Sequence, residues 1–307
     1  KKEIGKLVRL LAELSPDVVN LPNSMLSALA PAIKAEMKVP VCCTLQGEDL
    51  FLNGLLEPYR GESLRLIAEN AAHVDAFIAI SHYGAESMAA FLGIDRGRIR
   101  VAPLGIRAEA FGNRRAAPPD PFTVGYLARI APEKGLHVLC DAYRILRAGG
   151  DLPPGRLHAA GYLAPEHRAY LSDIRRNMGE WGLAPQFRYF GEVDRADKLE
   201  FLKGLSVFSV PGVYDDPKGL FLLEALAAGI PAVQPRRGAF TEILETTGGG
   251  LLVEPADPAA LARGILELWR DPQKREELGA CGSRNVRRHY TAAGMAEAAL
   301  AVYRSVV

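Results

Sequence analysis

The chain has 307 residues, which is long enough for two domains of ordinary size. With 37 basic and 36 acidic residues its formal net charge is +1, and so small an excess argues against a nucleic-acid partner. Hydrophobic residues make up 49% of the chain and charged residues 24%, as in globular proteins, and no apolar run reaches the ~18 residues of a transmembrane helix.

The four cysteines include no C-x-x-C pair, and two of them, Cys42 and Cys43, are adjacent within an apolar run. This pattern is typical of reduced thiols in a cytoplasmic protein, and it predicts neither a disulfide framework nor a zinc site. We therefore expect the protein in the cytoplasm, with peripheral attachment to a membrane as an open alternative.

Short apolar runs alternate with amphipathic stretches from one end of the chain to the other. The runs are apolar at nearly every position, which is typical of parallel strands covered by helices on both faces. Their alternation with segments of helical period predicts an α/β fold with doubly wound parallel sheets. Helices are predicted over Glu3–Glu13 at the start and Ala292–Val307 at the end. The predicted strands are Asp17–Leu21, Val39–Leu45, Ala76–Ile80, Ile99–Pro103, Phe122–Tyr126, Leu157–Ala160, Phe187–Phe190, Ser206–Val210, Ala232–Gln234 and Leu251–Val253.

A domain boundary is predicted at Phe111–Pro121, where Gly, Asn, Arg and Pro residues interrupt the periodicity. We assign residues 1–113 to a first domain, 114–290 to a complete Rossmann-like domain, and 291–307 to a C-terminal helix that returns to the first domain. The first domain opens on a helix instead of a strand with a Gly-rich turn, so we expect it to be incomplete at its front.

The first candidate site follows the opening strand of the second domain. Arg129 and Lys134 are five residues apart across a Pro-containing turn, and Gly135 follows them. In open α/β sheets ligands bind at the carboxyl ends of the strands, and both cations could converge there on one phosphate. The alternative is two solvated charges beside a helix start.

The second candidate site follows the strand Ser206–Val210. Gly219 and Leu220 begin a predicted helix, whose free amides and positive dipole end suit a phosphate or a sugar hydroxyl. Glu224 lies just over one turn further, in an apolar stretch where a carboxylate needs a partner. It could accept hydrogen bonds from two vicinal hydroxyls, as on a ribose. The alternative is a glutamate that reaches the surface or pairs with an arginine.

Together these segments resemble the retaining glycosyltransferases of family four, which have the GT-B architecture of two facing Rossmann-like domains. The resemblance covers nearly the whole chain, and relative to this family we expect the first half of the acceptor-side domain to be missing. The residues that carry it are Arg129 to Gly135, the acids Asp216 and Glu224 spaced eight apart, Ala225–Gly229, Pro211, Gly238–Ile243, Gly249–Val253 and Val101–Ile106.

The resemblance implies transfer of a sugar from a nucleotide sugar to an acceptor hydroxyl, with retention and without a metal ion or other cofactor. Arg129 and Lys134 would bind the diphosphate and stabilise its growing charge. Asp216 would contact the donor sugar, and Glu224 would hold the ribose hydroxyls. The other implied donor contacts are Gly161 at the diphosphate, Phe190 to Val193 at the base, and Lys218, Gly219 and Leu220 beside the sugar.

At three positions the chain departs from the usual family residue. Asp216 stands in place of a glutamate, and Lys218 stands in place of an aromatic residue. Gln46 replaces a histidine at a strand end; its amide can hydrogen-bond a sugar hydroxyl but cannot titrate. Gln46 and His82 are the candidates for the acceptor side or the donor-sugar side, although a surface role in capping a helix is the stronger interpretation of His82.

Other functions remain open at this point. A nucleotide-sugar-binding protein without turnover, or an epimerase or phosphorylase with the GT-B fold, would share these motifs. A nicotinamide dehydrogenase is disfavoured because no G-x-G-x-x-G follows a predicted strand. The acceptor could be a glycan, a lipid or a small molecule, and the sequence identifies neither the base nor the donor sugar.

Overall fold

The computed structural model describes residues 2–112, 119–150 and 152–307. The chain divides into two compact units, of which the first runs to Gly105 and includes Ala292–Val307, and the second is Ile106–Thr291. The predicted boundary between residues 113 and 114 lies outside the described residues. In the described ranges, none of the helices is both long and apolar enough to cross a membrane.

The first unit contains a parallel sheet in which the strands follow chain order. Its described strands are β1 (Val19–Leu21), β2 (Val41–Leu45), β3 (Ala76–Ala79) and β4 (Ile99–Val101), paired in the order β1-β2-β3-β4. Its described helices are α1 (Lys2–Leu14), α2 (Ala30–Met37), α3 (Asp49–Asn53), α4 (Tyr59–Ala71), α5 (His82–Leu92) and α13 (Ala292–Arg304).

The C-terminal helix α13 packs on this sheet. Val302 is buried in a cluster with Cys42 of β2 and with Ala76 and Ile78 of β3. Cys42, Cys43 and Cys140 are buried, Cys281 is half-buried, and all four are free thiols. Burial, with a smaller effect from Asp75, raises the pKa of the Cys42 thiol to about 11, so this thiol stays protonated at neutral pH.

The second unit contains a larger parallel sheet. Its described strands are β5 (Phe122–Leu127), β6 (Gly155–Ala160), β7 (Phe187–Tyr189), β8 (Val207–Phe208), β9 (Ala232–Pro235) and β10 (Gly250–Val253), in the order β10-β9-β8-β5-β6-β7. The described helices are α6 (Leu136–Ala148), α7 (Arg168–Glu180), α8 (Arg195–Lys203), α9 (Leu220–Ala227), α10 (Ala239–Thr247), α11 (Pro258–Arg270) and α12 (Pro272–His289).

The prediction of two parallel α/β sheets is confirmed, and each predicted strand is present with shifted ends. The largest difference is at β8, which is predicted over Ser206–Val210 and observed over Val207–Phe208. The ladder stops early because the Val210 amide donates to the side-chain Oε1 of Gln234, at 3.3 Å, instead of to a neighbouring strand. The chain is thereby free to leave the sheet as a loop.

The order of the second sheet creates a switch point between β5 and β8. The chain moves outward from β5 to β6 and β7, and then returns to the other side of β5 with β8. Ligands of open α/β sheets bind in the crevice at the carboxyl ends of the strands at such a point. The loops that follow β5 and β8 are the two segments singled out by the sequence.

The backbones of these two loops touch, and one glycine makes this contact possible. Gly135 has a φ of +74°, and a Cβ added there would lie 1.9 Å from the carbonyl oxygen of Pro211. The Val213 amide also donates to the carbonyl of Glu133, at 3.0 Å. Because a side chain at residue 135 would push the loops apart, glycine is required by both conformation and space.

Candidate active site

Lys134 is the buried cation at the switch point. It ends the short turn between β5 and α6, and only 8% of its surface is exposed. Its Nζ atom lies 2.6 Å from Oδ2 of Asp216 and 2.6 Å from the hydroxyl of Tyr214. The ammonium also lies 4.7 Å from the centre of the Tyr214 ring and 5.5 Å from that of Phe221. Lys134 thus joins the loop after β5 to the loop after β8.

Asp216 has a complete set of hydrogen bonds inside the protein. Its Oδ2 accepts from Lys134 and, at 2.9 Å, from the Tyr214 hydroxyl. Its Oδ1 accepts from the backbone amides of Lys218, at 2.8 Å, and Gly219, at 3.2 Å. A carboxylate offers about four acceptor positions, and the residue is only 3% exposed. Its side chain therefore fixes Lys134 and the start of α9, instead of projecting free into solvent.

The charges in this group are set by their surroundings. Burial would raise the pKa of Asp216, but the Lys134 ammonium and the bonds from Lys218 and Tyr214 outweigh burial and hold this pKa below 3.8. Burial and the neighbouring Asp216 carboxylate raise the pKa of Tyr214 well above 10. At neutral pH the group is therefore an ion pair bridged by a neutral phenol.

Arg129 lies at the end of β5 with its backbone fixed and its side chain in solvent. The Tyr126 hydroxyl donates to the Arg129 carbonyl at 2.9 Å. The guanidinium is 56% exposed and donates to Oε1 of Glu133 at 3.0 Å. Exposed pairs of this kind contribute about 0–1 kcal/mol. The guanidinium can therefore leave Glu133 for a stronger anion at small cost.

A further arginine, Arg237, reaches the loop after β8 from the turn before α10. Its Nε lies 3.1 Å from Oδ1 of Asp215, and its side chain is 23% exposed. Gly238 brings this turn close, because a Cβ there would lie 2.5 Å from the Asp216 carbonyl oxygen. The loop that carries Asp216 is thus held by cations from both sides.

Glu224 lies on the second turn of α9 and is paired with a lysine. Its Oε1 lies 2.6 Å from Nζ of Lys198 on α8. Both side chains line a cavity of about 530 Å³, together with Leu220 and Val193. Glu224 is thus paired with a cation, but this cation is a lysine and not the arginine of the sequence alternative.

Gly161 follows β6 and lies against the start of the Arg129 loop. Its φ is +136°, and a Cβ there would lie 1.9 Å from the carbonyl oxygen of Ala128. The Gly161 amide donates to the Gly191 carbonyl at 2.8 Å, and its own carbonyl accepts from the Tyr189 hydroxyl at 2.6 Å. Glycine is thus needed here for the close approach of two backbones.

Phe190 lines a second cavity, of about 630 Å³, which Val193 also borders. Its ring packs edge-on against His158, with 4.9 Å between the ring centres, and the guanidinium of Arg188 lies 4.4 Å from its ring centre. Burial, with a smaller effect from Arg156, lowers the pKa of His158 to about 4. Val193 therefore borders both cavities of the second unit, and Phe190 borders the second of them.

The two acceptor-side candidates both lie in the first unit, at the carboxyl ends of neighbouring strands. Gln46 follows β2, and its side-chain amide donates to the Pro22 carbonyl at 2.8 Å. His82 is exposed at the first position of α5, which follows β3. The helix cap is the hydroxyl of Ser81, which accepts from the Gly84 amide, so His82 is a surface residue but is not the cap.

The structure brings the predicted residues into two groups. Lys134, Asp216, Lys218 and Gly219 form one bonded group, and Val193, Leu220 and Glu224 line one cavity. Sequence reasoning missed Tyr214, Glu133, Arg237 and Lys198. Tyr214 could have been noticed, because it lies in the loop after β8 and carries a hydroxyl two residues before Asp216. No spacing in the sequence relates Lys198 to Glu224.

Comparison with known proteins identifies the family. The sequence model of the glycosyl transferases group 1 matches residues 109–284, more than half of the chain, and that of Glycosyltransferase Family 4 matches residues 2–110. The chain belongs to the glycosyl transferases group 1 family. Its enzyme class, predicted from the motifs, is thereby confirmed as glycosyltransferase.

Two relatives illustrate the similarity in sequence. A phosphatidyl-myo-inositol mannosyltransferase of Mycobacterium leprae is 29% identical over 350 residues, which cover 98% of this chain and 89% of that protein. A protein of the same name from Mycobacterium tuberculosis is 30% identical over 239 residues, 75% of this chain and 59% of that protein. The matched region is thus little more than half of the second relative.

Two solved structures illustrate the similarity in fold. That of Anabaena Alr3699/HepE in complex with UDP has a TM-score of 0.86 at 18% identity, covering 98% of this chain and 82% of that one. That of sucrose-phosphate synthase from Thermosynechococcus elongatus has a TM-score of 0.81 at 20% identity, covering 99% and 77%. The predicted GT-B fold of this glycosyltransferase is thereby confirmed.

The pH dependence of stability tests the Lys134–Asp216 pair. Because folding lowers the pKa of Asp216, its carboxylate stabilises the fold above pH 3.8, and this contribution is lost as the pH falls through the lower folded value. Asp216→Asn should cost about 3–5 kcal/mol at neutral pH, since it leaves the lysine buried without its counter-charge. The difference from wild type, measured by urea denaturation, should shrink below pH 3.8.

The matched control is Asp173→Asn, which removes a carboxylate from an exposed pair with Arg176. That variant should change the free energy of unfolding little at any pH. A cost for Asp216→Asn that stays the same into acid would contradict an ionised pair.

Proposed function

We propose that this glycosyltransferase moves a sugar from a nucleoside-diphosphate sugar to an acceptor hydroxyl, with retention at the anomeric carbon. The observation that carries the proposal is the buried group of Lys134, Tyr214 and Asp216 at the switch point of the second sheet. The similarity in fold to Anabaena Alr3699/HepE, solved with UDP and with UDP-glucose, supports a nucleotide sugar as the donor.

The first role is to bind the diphosphate. Two of the three N–H donors of Lys134 are used by Asp216 and Tyr214, and the described residues give no acceptor for the third. Arg129 can exchange Glu133 for a phosphate oxygen, and the Leu220 amide is at the amino end of α9. Lys134 and the Leu220 amide are fixed before the donor binds, so with Arg129 they can stabilise the charge that grows on the diphosphate as its bond to the sugar breaks.

Asp216 acts as a positioning residue in this proposal. Its four acceptor positions are taken by Lys134, Tyr214 and two backbone amides, so it does not offer a free oxygen to the donor sugar. It keeps Lys134 in place and fixes the backbone at Lys218 and Gly219. Contact with the sugar is then made by the backbone and by Lys218 instead of by the Asp216 carboxylate.

The same geometry supports a transfer that uses no protein nucleophile. A carboxylate held by four hydrogen bonds is poorly placed to attack the anomeric carbon. The acceptor oxygen would form its bond to that carbon on the face from which the diphosphate leaves. The bond from carbon to phosphate oxygen breaks with its electron pair on the phosphate, which takes the proton of the acceptor hydroxyl. The configuration is thereby retained.

The acceptor side is assigned to the first unit, with Gln46 and His82 as the candidate residues. The acceptor is a glycan, a lipid or a small molecule that carries a hydroxyl. Relatives named phosphatidyl-myo-inositol mannosyltransferase and D-inositol 3-phosphate glycosyltransferase favour an acceptor whose hydroxyl belongs to a ring polyol, either free or as part of a lipid. Reduced thiols support a cytoplasmic location.

Calorimetry with UDP, GDP and ADP, followed by transfer assays with the matching sugars, tests the donor site. Arg129→Ala should weaken binding of the preferred nucleoside diphosphate about 10- to 100-fold, since a charge-assisted contact contributes ~1.5–3 kcal/mol. The control is Arg176→Ala, which removes an equally exposed arginine from α7 and should change nothing. Equal affinities for the two variants would remove Arg129 from the site, and binding without any transfer would favour a binding protein.

We also propose that the reaction needs no metal ion. Within the described ranges, no group of three or more His, Cys, Asp and Glu side chains is arranged to hold one. Lys134 and Arg129 supply the positive charge that a divalent ion would otherwise bring to a diphosphate.

Chelation tests metal independence. Transfer by the purified chain should keep its full rate in excess EDTA, and added magnesium or manganese should raise it less than twofold. A strict requirement for either ion would show that the cations of the site do not suffice.

A further inference from the structure

The pair formed by Lys198 and Glu224 joins two helices at the edge of the 530 Å³ cavity. Lys198 lies one turn into α8, whose amino end is fixed by the Asp194 side chain, which accepts from the Asp197 amide at 2.8 Å. Its Nζ lies 2.6 Å from Oε1 of Glu224. The two side chains are only 26% and 21% exposed, so the pair is largely shielded from water.

The pair leaves hydrogen-bonding capacity of both kinds facing the cavity. Lys198 occupies one lone pair of Oε1, and the described residues give Oε2 no other partner. The carboxylate can therefore still accept from two hydroxyls, and the ammonium still has donors to spare. The vicinal hydroxyls of a ribose can both donate to the carboxylate and accept from the ammonium.

Lys198 also changes the electrostatics of the site. A lone Glu224 carboxylate would repel the diphosphate of a nucleotide bound to the same domain. The lysine cancels that charge while it holds the carboxylate in one orientation. A ribose can then be bound without a repulsion that would oppose the phosphates.

We propose that Lys198 is a positioning residue for ribose recognition, acting through Glu224; this inference rests on the proposed function. Lys198 fixes the direction of the Glu224 carboxylate, so that the chain distinguishes a ribose from a 2′-deoxyribose. A lysine that only tied α8 to α9 would add stability but would not affect this distinction.

The experiment compares nucleoside diphosphates with their 2′-deoxy forms by calorimetry, using UDP, GDP and ADP. The wild-type chain should bind its preferred ribonucleotide at least about tenfold more tightly than the deoxy form, as expected for a hydrogen bond to a charged group. Lys198→Met should reduce this ratio to below about threefold, because the carboxylate loses its orientation. Lys198→Gln retains N–H donors but no charge. It should keep the ratio while weakening the binding of both nucleotides, because the Glu224 charge is no longer balanced.

The matched control is Arg195→Met, which removes a cation from the same cavity and the same helix without touching the pair. It should preserve the ratio of ribose to deoxyribose affinity. Circular dichroism and urea denaturation check that each variant is folded. If Lys198→Met is not folded, Lys198→Ala carries the test, since it also removes every donor to Glu224 and should reduce the ratio in the same way.

Three results would overturn the proposal. A folded Lys198→Met chain with an unchanged ratio would reduce Lys198 to a structural link. A wild-type chain that binds a nucleoside diphosphate without preferring ribose would remove Glu224 from the ribose site. Failure of the wild type to bind any of the nucleotides would instead defeat the proposed function itself, and this inference with it.

Discussion

The buried ion pair between Lys134 and Asp216 is the interaction on which the site depends. Its atoms lie 2.6 Å apart, almost out of reach of water, and they join the loops that follow two adjacent strands. Loss of one partner from such a pair costs about 3–5 kcal/mol because the other charge stays buried. The remaining acceptor positions of Asp216 bind the Tyr214 hydroxyl and the amides of Lys218 and Gly219, just before α9. One carboxylate therefore fixes the position of both the Lys134 ammonium and the start of α9.

The topology of the sheet and two glycines make this pair possible. β5 and β8 are neighbours in space although β6 and β7 lie between them in the chain. Gly135 and Gly238 allow the backbones of the surrounding loops to approach the loop after β8 without side-chain clashes. The charged groups are thus held by backbone geometry, which is the preorganisation that electrostatic catalysis requires.

The sequence predicted what depends on local pattern. Apolar runs located each strand. The tendency of ligands to bind at the carboxyl ends of parallel strands pointed to the loops of Arg129, Lys134 and Asp216. The sequence did not predict which partner satisfies each charge. Asp216 was expected to face the sugar, but its bonds to Tyr214 and to two amides depend on how a loop folds back on itself. Lys198 and Glu224 lie on different helices, and their contact arises only from tertiary packing.

A crystal structure with the nucleoside diphosphate of highest affinity is the most direct test of the role of the Lys134–Asp216 pair. A terminal phosphate oxygen should lie within about 3.2 Å of Lys134 Nζ. The bonds between Lys134, Tyr214 and Asp216 should remain intact. A nucleotide bound with its phosphates away from Lys134, or only after the Lys134–Asp216 pair has opened, would contradict this role.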